Sequence, residues 1–160
     1  PVLKFIIGDD PPTPDLSVVP PFLRPIPPVP PASHLAKLPT REWVLERSGG
    51  EWLINDEAFD PQRPLAYPKK GSEEVWIFRN GGGGWVHPMH MHQEEHRVIS
   101  RNGVPARGDD ISKEDVIAVH ENEEVAIYRK FRSFSGNYVT HCHNLAHEDH
   151  AMMFAWKIVP

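Results

Sequence analysis

Thiols are almost absent from this chain: Cys142 is the single cysteine among 160 residues. A lone thiol closes no disulfide within the chain, and it builds no four-cysteine zinc or iron–sulfur site. Long apolar runs are missing too. No stretch approaches the roughly 20 residues that a membrane-spanning helix requires, so the sequence points to no membrane partner. Positive charge is not in excess either. Seventeen Lys and Arg stand against 22 Asp and Glu, for a formal net charge of −5. That balance leaves no electrostatic footprint for nucleic acid. Methionine is scarce, at four residues, so there is no methionine-rich segment.

What the chain does have is clustered histidine. Six of its ten histidines, His87, His90, His92, His141, His143 and His147, form two closely spaced sets in two short windows, the second of which also holds His150. One reads Trp85-Val86-His87-Pro88-Met89-His90-Met91-His92. The other reads His141-Cys142-His143-Asn144-Leu145-Ala146-His147-Glu148-Asp149-His150-Ala151-Met152-Met153. Cys, His and Met are the soft and borderline ligands that copper takes, and a blue copper site uses two His, one Cys thiolate and a weak axial Met. His87, Cys142, His147 and Met152 supply that set.

Four histidines then remain, as two His-x-His pairs: His90 with His92, and His141 with His143. Residues i and i+2 of a strand share a face, roughly 6–7 Å apart. His141 and His143 are therefore expected to point one way and Cys142 the other. This layout predicts a thiolate-bound metal on one side of the strand and a second metal site behind it, joined through adjacent residues. A structural zinc site would favour a closed set with more thiolates or no Met. Met89 and Met91 alternate away from His90 and His92, so they are read as packing residues, and Met153 as core of the last strand. His34, His120 and His150 read as surface or satisfied histidines, and His96 as partly buried without metal. Glu94-Glu95 and Glu121–Glu124 read as solvated turns.

The pattern His-Pro-x-His-x-His with His-Cys-His-x3-His-x4-Met resembles the C-terminal domain of three-domain multicopper oxidases, the laccases and their relatives. The string His141–Met153, and Trp85 two residues before His87, look most like the bilirubin oxidase branch. The resemblance covers about residues 40–160. It implies a complete type 1 (blue) copper site at His87, Cys142, His147 and Met152. It further implies His90 as ligand of a type 2 copper, and His92, His141 and His143 as ligands of a type 3 pair. Glu148, directly after the second blue-copper histidine, occupies the place of an acidic residue that assists proton delivery. Reducing dioxygen to water consumes protons, and a positioned carboxyl can relay them. Trp85 would sit beside the site of electron entry.

The function implied is one-electron oxidation of a small reducing substrate, coupled to four-electron reduction of dioxygen to water. Phenols, aromatic amines or tetrapyrroles are the substrate classes, and the location is extracytoplasmic. The family's cluster uses eight histidines, and this chain offers four. The type 2 and type 3 coppers are therefore expected to be shared with N-terminal cupredoxin domains of the same oxidase, carried on a separate chain or cleaved from this one. A single-domain blue-copper electron carrier is the alternative, but it gives the His-x-His pairs no purpose. A copper nitrite reductase-like enzyme lacks the second histidine of His-Cys-His. A copper-storage domain would bind the metal without turnover. Two positions depart from the family pattern: His96 stands where relatives mostly place an aromatic, and Ala151 where many place Gly. Both bear on packing around the sites.

Residues 1–10 read as the end of a preceding domain, with Val2–Ile7 as its last strand. Eleven of the 18 prolines lie in residues 11–39. Proline fixes φ and lacks a donor, so residues 11–39 are expected to form a Pro-rich linker, extended and partly polyproline II rather than helical, with Phe22, Leu23 and Ile26 docking on a surface. From residue 40 the pattern is β. Strands are expected at 42–46, 52–54, 74–79, 97–100, 116–119, 124–131, 136–142 and 153–159, with a helical turn after His143. Residues 81–84 form a glycine loop leading into the His87 motif. Short strands with frequent turns indicate a sandwich. The fold class expected is all-β: a cupredoxin-like Greek-key β-sandwich over residues 40–160, preceded by the Pro-rich linker.

Overall fold

The computed structural model of the chain describes residues 3–21, 23 and 25–160. Ten strands occur among the described residues: β1 (Thr40–Ser48), β2 (Glu51–Ile54), β3 (Glu73–Asn80), β4 (His87–Met91), β5 (His96–Arg101), β6 (Val104–Pro105), β7 (Val116–Val119), β8 (Glu124–Lys130), β9 (Gly136–Cys142) and β10 (Met153–Ile158). Two short helices accompany them, α1 (Ala32–Leu35) and α2 (Leu145–Asp149), with a 3-10 turn at Gly108–Ile111.

Six strands form one sheet in the order β2-β1-β3-β8-β5-β6, and four form the other in the order β10-β9-β4-β7. The pairing of β1 with β3 is parallel, with Thr40 opposite Val75; the other strand pairs are antiparallel. The chain crosses between sheets at β3 to β4, β4 to β5, β6 to β7, β7 to β8 and β8 to β9. That crossing gives the expected two-sheet sandwich. Every strand expected from residue 40 onward is present. β4 and β6 were not among them, because proline at 88 and 105 breaks the usual strand composition.

Alternation decides which side chains meet between the sheets. Trp43, Trp76, Phe78 and Ile127 from one sheet face Met89, Met91, Phe154 and Trp156 from the other, all buried in one cluster. Trp43 stacks on Phe154 with ring centroids 3.9 Å apart, and Trp76 meets Trp156 edge-on at 5.6 Å. Such aromatic pairs contribute about 0.5–1.5 kcal/mol each beyond their buried area. The first hairpin turns at Gly49 and Gly50, with φ of 60° and 92°. Two positive φ values in a two-residue loop suit the right-handed twist of the flanking strands, and glycine adopts them freely.

Five expectations are corrected. Residues 3–7 form no strand and are exposed; Leu3 and Ile7 keep 70% and 96% of their surface. Val2, like Phe22, lies outside the described residues. Among the linker's apolar residues, Leu23 and Ile26 are exposed, and docking occurs further on. There Arg97 Nη1 donates to Pro27 O, and Pro27, Pro28 and Pro30 line a groove with Lys113 and Tyr128. The linker also ends in helix: Pro31 precedes α1, at a position where a missing N–H costs nothing. Met153 is half-buried rather than core. Glu94 is no solvated turn but is buried, and the Glu123 carboxylate is tied to Arg101 and His120 N.

His96 differs too. It is fully buried on β5, with both ring nitrogens lacking a partner. Burial and the nearby Arg129 cation lower its pKa to about 3, so the ring stays neutral. The unfolded chain takes up this proton near 6.5, the folded one only near 3, so stability attached to His96 is present above 6.5 and lost as pH falls. His96→Phe removes an unpaired buried polar group. It is expected to raise stability at pH 7 by about 1–3 kcal/mol and to lose less stability than the parent on going to pH 5. Urea unfolding of both proteins at the two pH values checks this. A variant no more stable, with an unchanged pH slope, contradicts it.

Candidate metal centre

The two histidine windows meet because β4 and β9 are neighbours, with Met89 opposite Cys142, His90 opposite His141 and Met91 opposite Thr140. After β9 the chain enters α2, whose first turn is capped by the Asn144 side chain accepting from Ala146 N at 3.2 Å. That single turn of helix brings His147 back over Cys142. The return to β10 passes through Ala151 at φ 59°. Glycine adopts this left-handed backbone freely, whereas the Cβ of Ala151 strains it.

On one face of β9, three donor atoms converge. Cys142 Sγ lies 3.7 Å from His87 Nδ1 and 3.6 Å from His147 Nδ1, and the two nitrogens are 3.2 Å apart. All three residues are buried. Met152 is buried in the same cluster, and its backbone is bonded to both neighbours: Cys142 N donates to Met152 O at 3.0 Å, and Met152 N to His147 O at 2.9 Å. Burial raises the Cys142 thiol to about 11, while burial and the His147 charge lower His87 to about 4. Burial also lowers His147. Left to itself the site holds a neutral thiol beside neutral imidazoles. Neutral imidazole is the ligating form, and a bound cation would draw the proton from sulfur. The donor set, two nitrogens and one sulfur in a dry pocket, fits copper.

Behind β9, His90, His92 and His141 bring their ring nitrogens within 4.8 Å of one another. His92 Nε2 and His141 Nε2 are 3.3 Å apart. His143 stands at the rim, its ring centroid 4.9 Å from that of His141 and 5.2 Å from that of His90. The predicted split of Cys142 from its flanking histidines is thus present, and Met89 and Met91 are buried on the opposite side as expected. Ring orientation is set from outside. His90 Nδ1 donates to Asp115 O at 3.0 Å, which leaves Nε2 with its lone pair. Glu148 spans two rings, with Oε1 3.5 Å from His141 Nδ1 and Oε2 3.7 Å from His143 Nδ1. A carboxylate behind an imidazole is the usual means of orienting a metal-binding histidine.

Trp85 is 44% exposed, with its ring 5.1 Å from that of His147. The position is fixed by Asn80, whose Nδ2 donates to Trp85 O at 2.8 Å and to Val119 O at 3.2 Å. A second tryptophan went unnoticed in the sequence. Trp52 stacks on His147 at 3.7 Å and meets His87 edge-on at 5.5 Å. Its only sequence signal was a strand pattern, and nothing local shows that β2 lies against α2. A cleft of about 530 Å³ opens here, lined by Glu46, Arg47, Trp52, Gly83 and Trp85. Of the remaining histidines, His34, His120 and His150 are exposed, and His34 Nε2 pairs with Glu73 at 2.6 Å.

A β-sandwich with a buried Cys-His-His pocket and a histidine cluster on the reverse of the same strand is the architecture of a copper protein. Residues 26–160 match the family model described as multicopper oxidase. The chain is 38% identical to bilirubin oxidase from Albifimbria verrucaria over 162 residues, covering 98% of this chain and 28% of that protein. It is 33% identical to a laccase from Haloferax volcanii, covering 74% of this chain and 22% of that one. Among solved structures, a laccase from Pediococcus acidilactici superposes with a TM-score of 0.78 at 28% identity, over 91% of this chain and 32% of that one. The chain therefore belongs to the multicopper oxidase family. It spans about a fifth to a third of the length of the relatives it matches.

Proposed function

We propose that this chain is the part of a multicopper oxidase that receives electrons and holds half of the dioxygen-reducing cluster. His87, Cys142, His147 and Met152 would hold the blue copper. His90 would hold a type 2 copper, and His92, His141 and His143 a type 3 pair, completed by four histidines from N-terminal cupredoxin domains. One observation carries this reading: two groups of metal-ligating side chains stand back to back on consecutive residues of β9. A lone electron carrier would have use for the first group only.

Copper, when bound, would supply one-electron oxidation at the thiolate site and the four-electron reduction of dioxygen to water at the cluster. The protein's own residues set the conditions. Trp85 presents an aromatic edge to solvent beside His147, and Trp52 seals His147 and His87 from water. The cleft beside them suits a flat aromatic donor such as a phenol, an aromatic amine or a tetrapyrrole. Electrons entering at Cys142 need cross only one peptide to reach His141 or His143. Glu148, about one-third exposed and within 4 Å of both histidines, can take protons from solvent and hold them at the cluster.

The test is an electron paramagnetic resonance spectrum of the whole copper-loaded oxidase, this chain together with its N-terminal domains, with total copper counted on the same sample. A narrow-splitting blue signal with a normal type 2 signal and further silent copper supports an oxidase whose missing histidines come from another domain. A blue signal alone, at one copper per chain, overturns it and returns the single-domain electron carrier. Two variants probe individual roles. Glu148→Gln is expected to keep the blue colour and slow reoxidation by dioxygen by about 100-fold; an unchanged rate removes Glu148 from the proton path. Met152→Leu is expected to raise the reduction potential, because a donor that favours the oxidised copper is lost. A lower potential in redox titration counts against Met152 as the axial ligand.

A further inference from the structure

Immediately after His92 the backbone turns under strain. Gln93 has φ 76°, and Glu94 N donates to His92 O across it at 3.0 Å. A closure over one intervening residue at positive φ is a γ-turn of the rarer, strained kind. Backbone of this sort persists only where the surroundings over-determine it, and it gathers at functional sites.

Two arginines hold this turn from opposite sides. From the core, Arg129 Nη2 donates to His92 O at 3.1 Å and to Glu94 O at 3.0 Å. Its guanidinium lies between indoles, 4.6 Å from the Trp76 ring centre and 4.7 Å from that of Trp156. Arg129 is fully buried and hydrogen-bonds no carboxylate among the described residues. A buried cation is an expensive way to fill a core, so its task lies in what it grips. From outside, the buried Glu94 carboxylate accepts from Arg132 N at 2.7 Å, Nε at 2.9 Å and Nη2 at 2.5 Å. His92 N donates to Val139 O at 3.2 Å, so both polar backbone atoms of His92 are held. Its ring then meets His141, nitrogen to nitrogen, at 3.3 Å. β4 ends at Met91 and β5 begins at His96, so the Arg129 and Glu94–Arg132 contacts to this turn lie outside sheet pairing.

We infer that Arg129 and the Glu94–Arg132 pair are positioning residues, which lock a strained turn and so aim the His92 ring at the cluster. The inference rests on reading His90, His92, His141 and His143 as copper ligands. Copper affinity at those histidines and blue absorption at Cys142 are measured on the same intact oxidase, in wild type, Arg129→Lys and Glu94→Gln. Lysine keeps the charge but loses the fork that reaches two carbonyls, and glutamine keeps the shape while removing the charge. Glu121→Gln, on an exposed side chain away from this turn, is the control. Cluster affinity is expected to fall about 10–100-fold in the first two variants, with blue absorption normal and the control like wild type. Affinity unchanged in both variants overturns the inference. So does a parallel loss of both signals that tracks the melting temperature, since that marks a merely structural role. Should Arg129→Lys fail to fold, Glu94→Gln decides. A wild-type oxidase with no copper at these histidines would overturn the underlying reading instead, and this one with it.

Discussion

Along β9 consecutive side chains leave the backbone in opposite directions, and at residues 141–143 that geometry separates a thiol from two imidazoles. Cys142 enters the dry space between the sheets, where His87 and His147 meet it. His141 and His143 leave on the other side, toward His90 and His92. The distance between the two groups is therefore set by the covalent chain rather than by packing. Everything else in the site has only to deliver partners to one face or the other.

Delivery depends on a few backbone arrangements. Pairing of β4 with β9 brings in three histidines at once, because His87, His90 and His92 follow one another on and just beyond β4. A single helical turn brings His147 to the inner face and Glu148 to the outer one, so adjacent residues serve opposite sides there as well. The aromatic layer behind them, Trp43, Trp76, Phe154 and Trp156, gives the sheets a close-packed seat that resists small displacements.

The strands were legible because their apolar residues alternate or cluster between glycine and proline breaks, and the ligand set because copper asks for unusual residues at short spacing. What escaped notice depends on contacts made across long separations. Trp52 looks like any strand tryptophan until β2 is folded beneath α2. Glu94 sits in a polar run that reads as a solvated turn, and only Arg132, 38 residues away, makes it an interior residue. His96 occupies an alternating position that promises half-burial, yet the folded chain buries it completely. The obvious apolar residues of the linker, Phe22, Leu23 and Ile26, point to a hydrophobic dock, yet Leu23 and Ile26 are exposed. The contact instead uses a proline carbonyl and Arg97, because a proline-rich backbone keeps its acceptors free.

The span between His87 and Cys142 has a thermodynamic side. These two residues are 55 positions apart, and the intervening segment contains β5 to β8 and most of the core's second half. An ion gripped by both would act as a reversible staple across that length, ruling out a large share of unfolded conformations. Metal uptake would then be a late event in folding, possible only once the four-stranded sheet has assembled. Its release would loosen the whole sandwich rather than one loop.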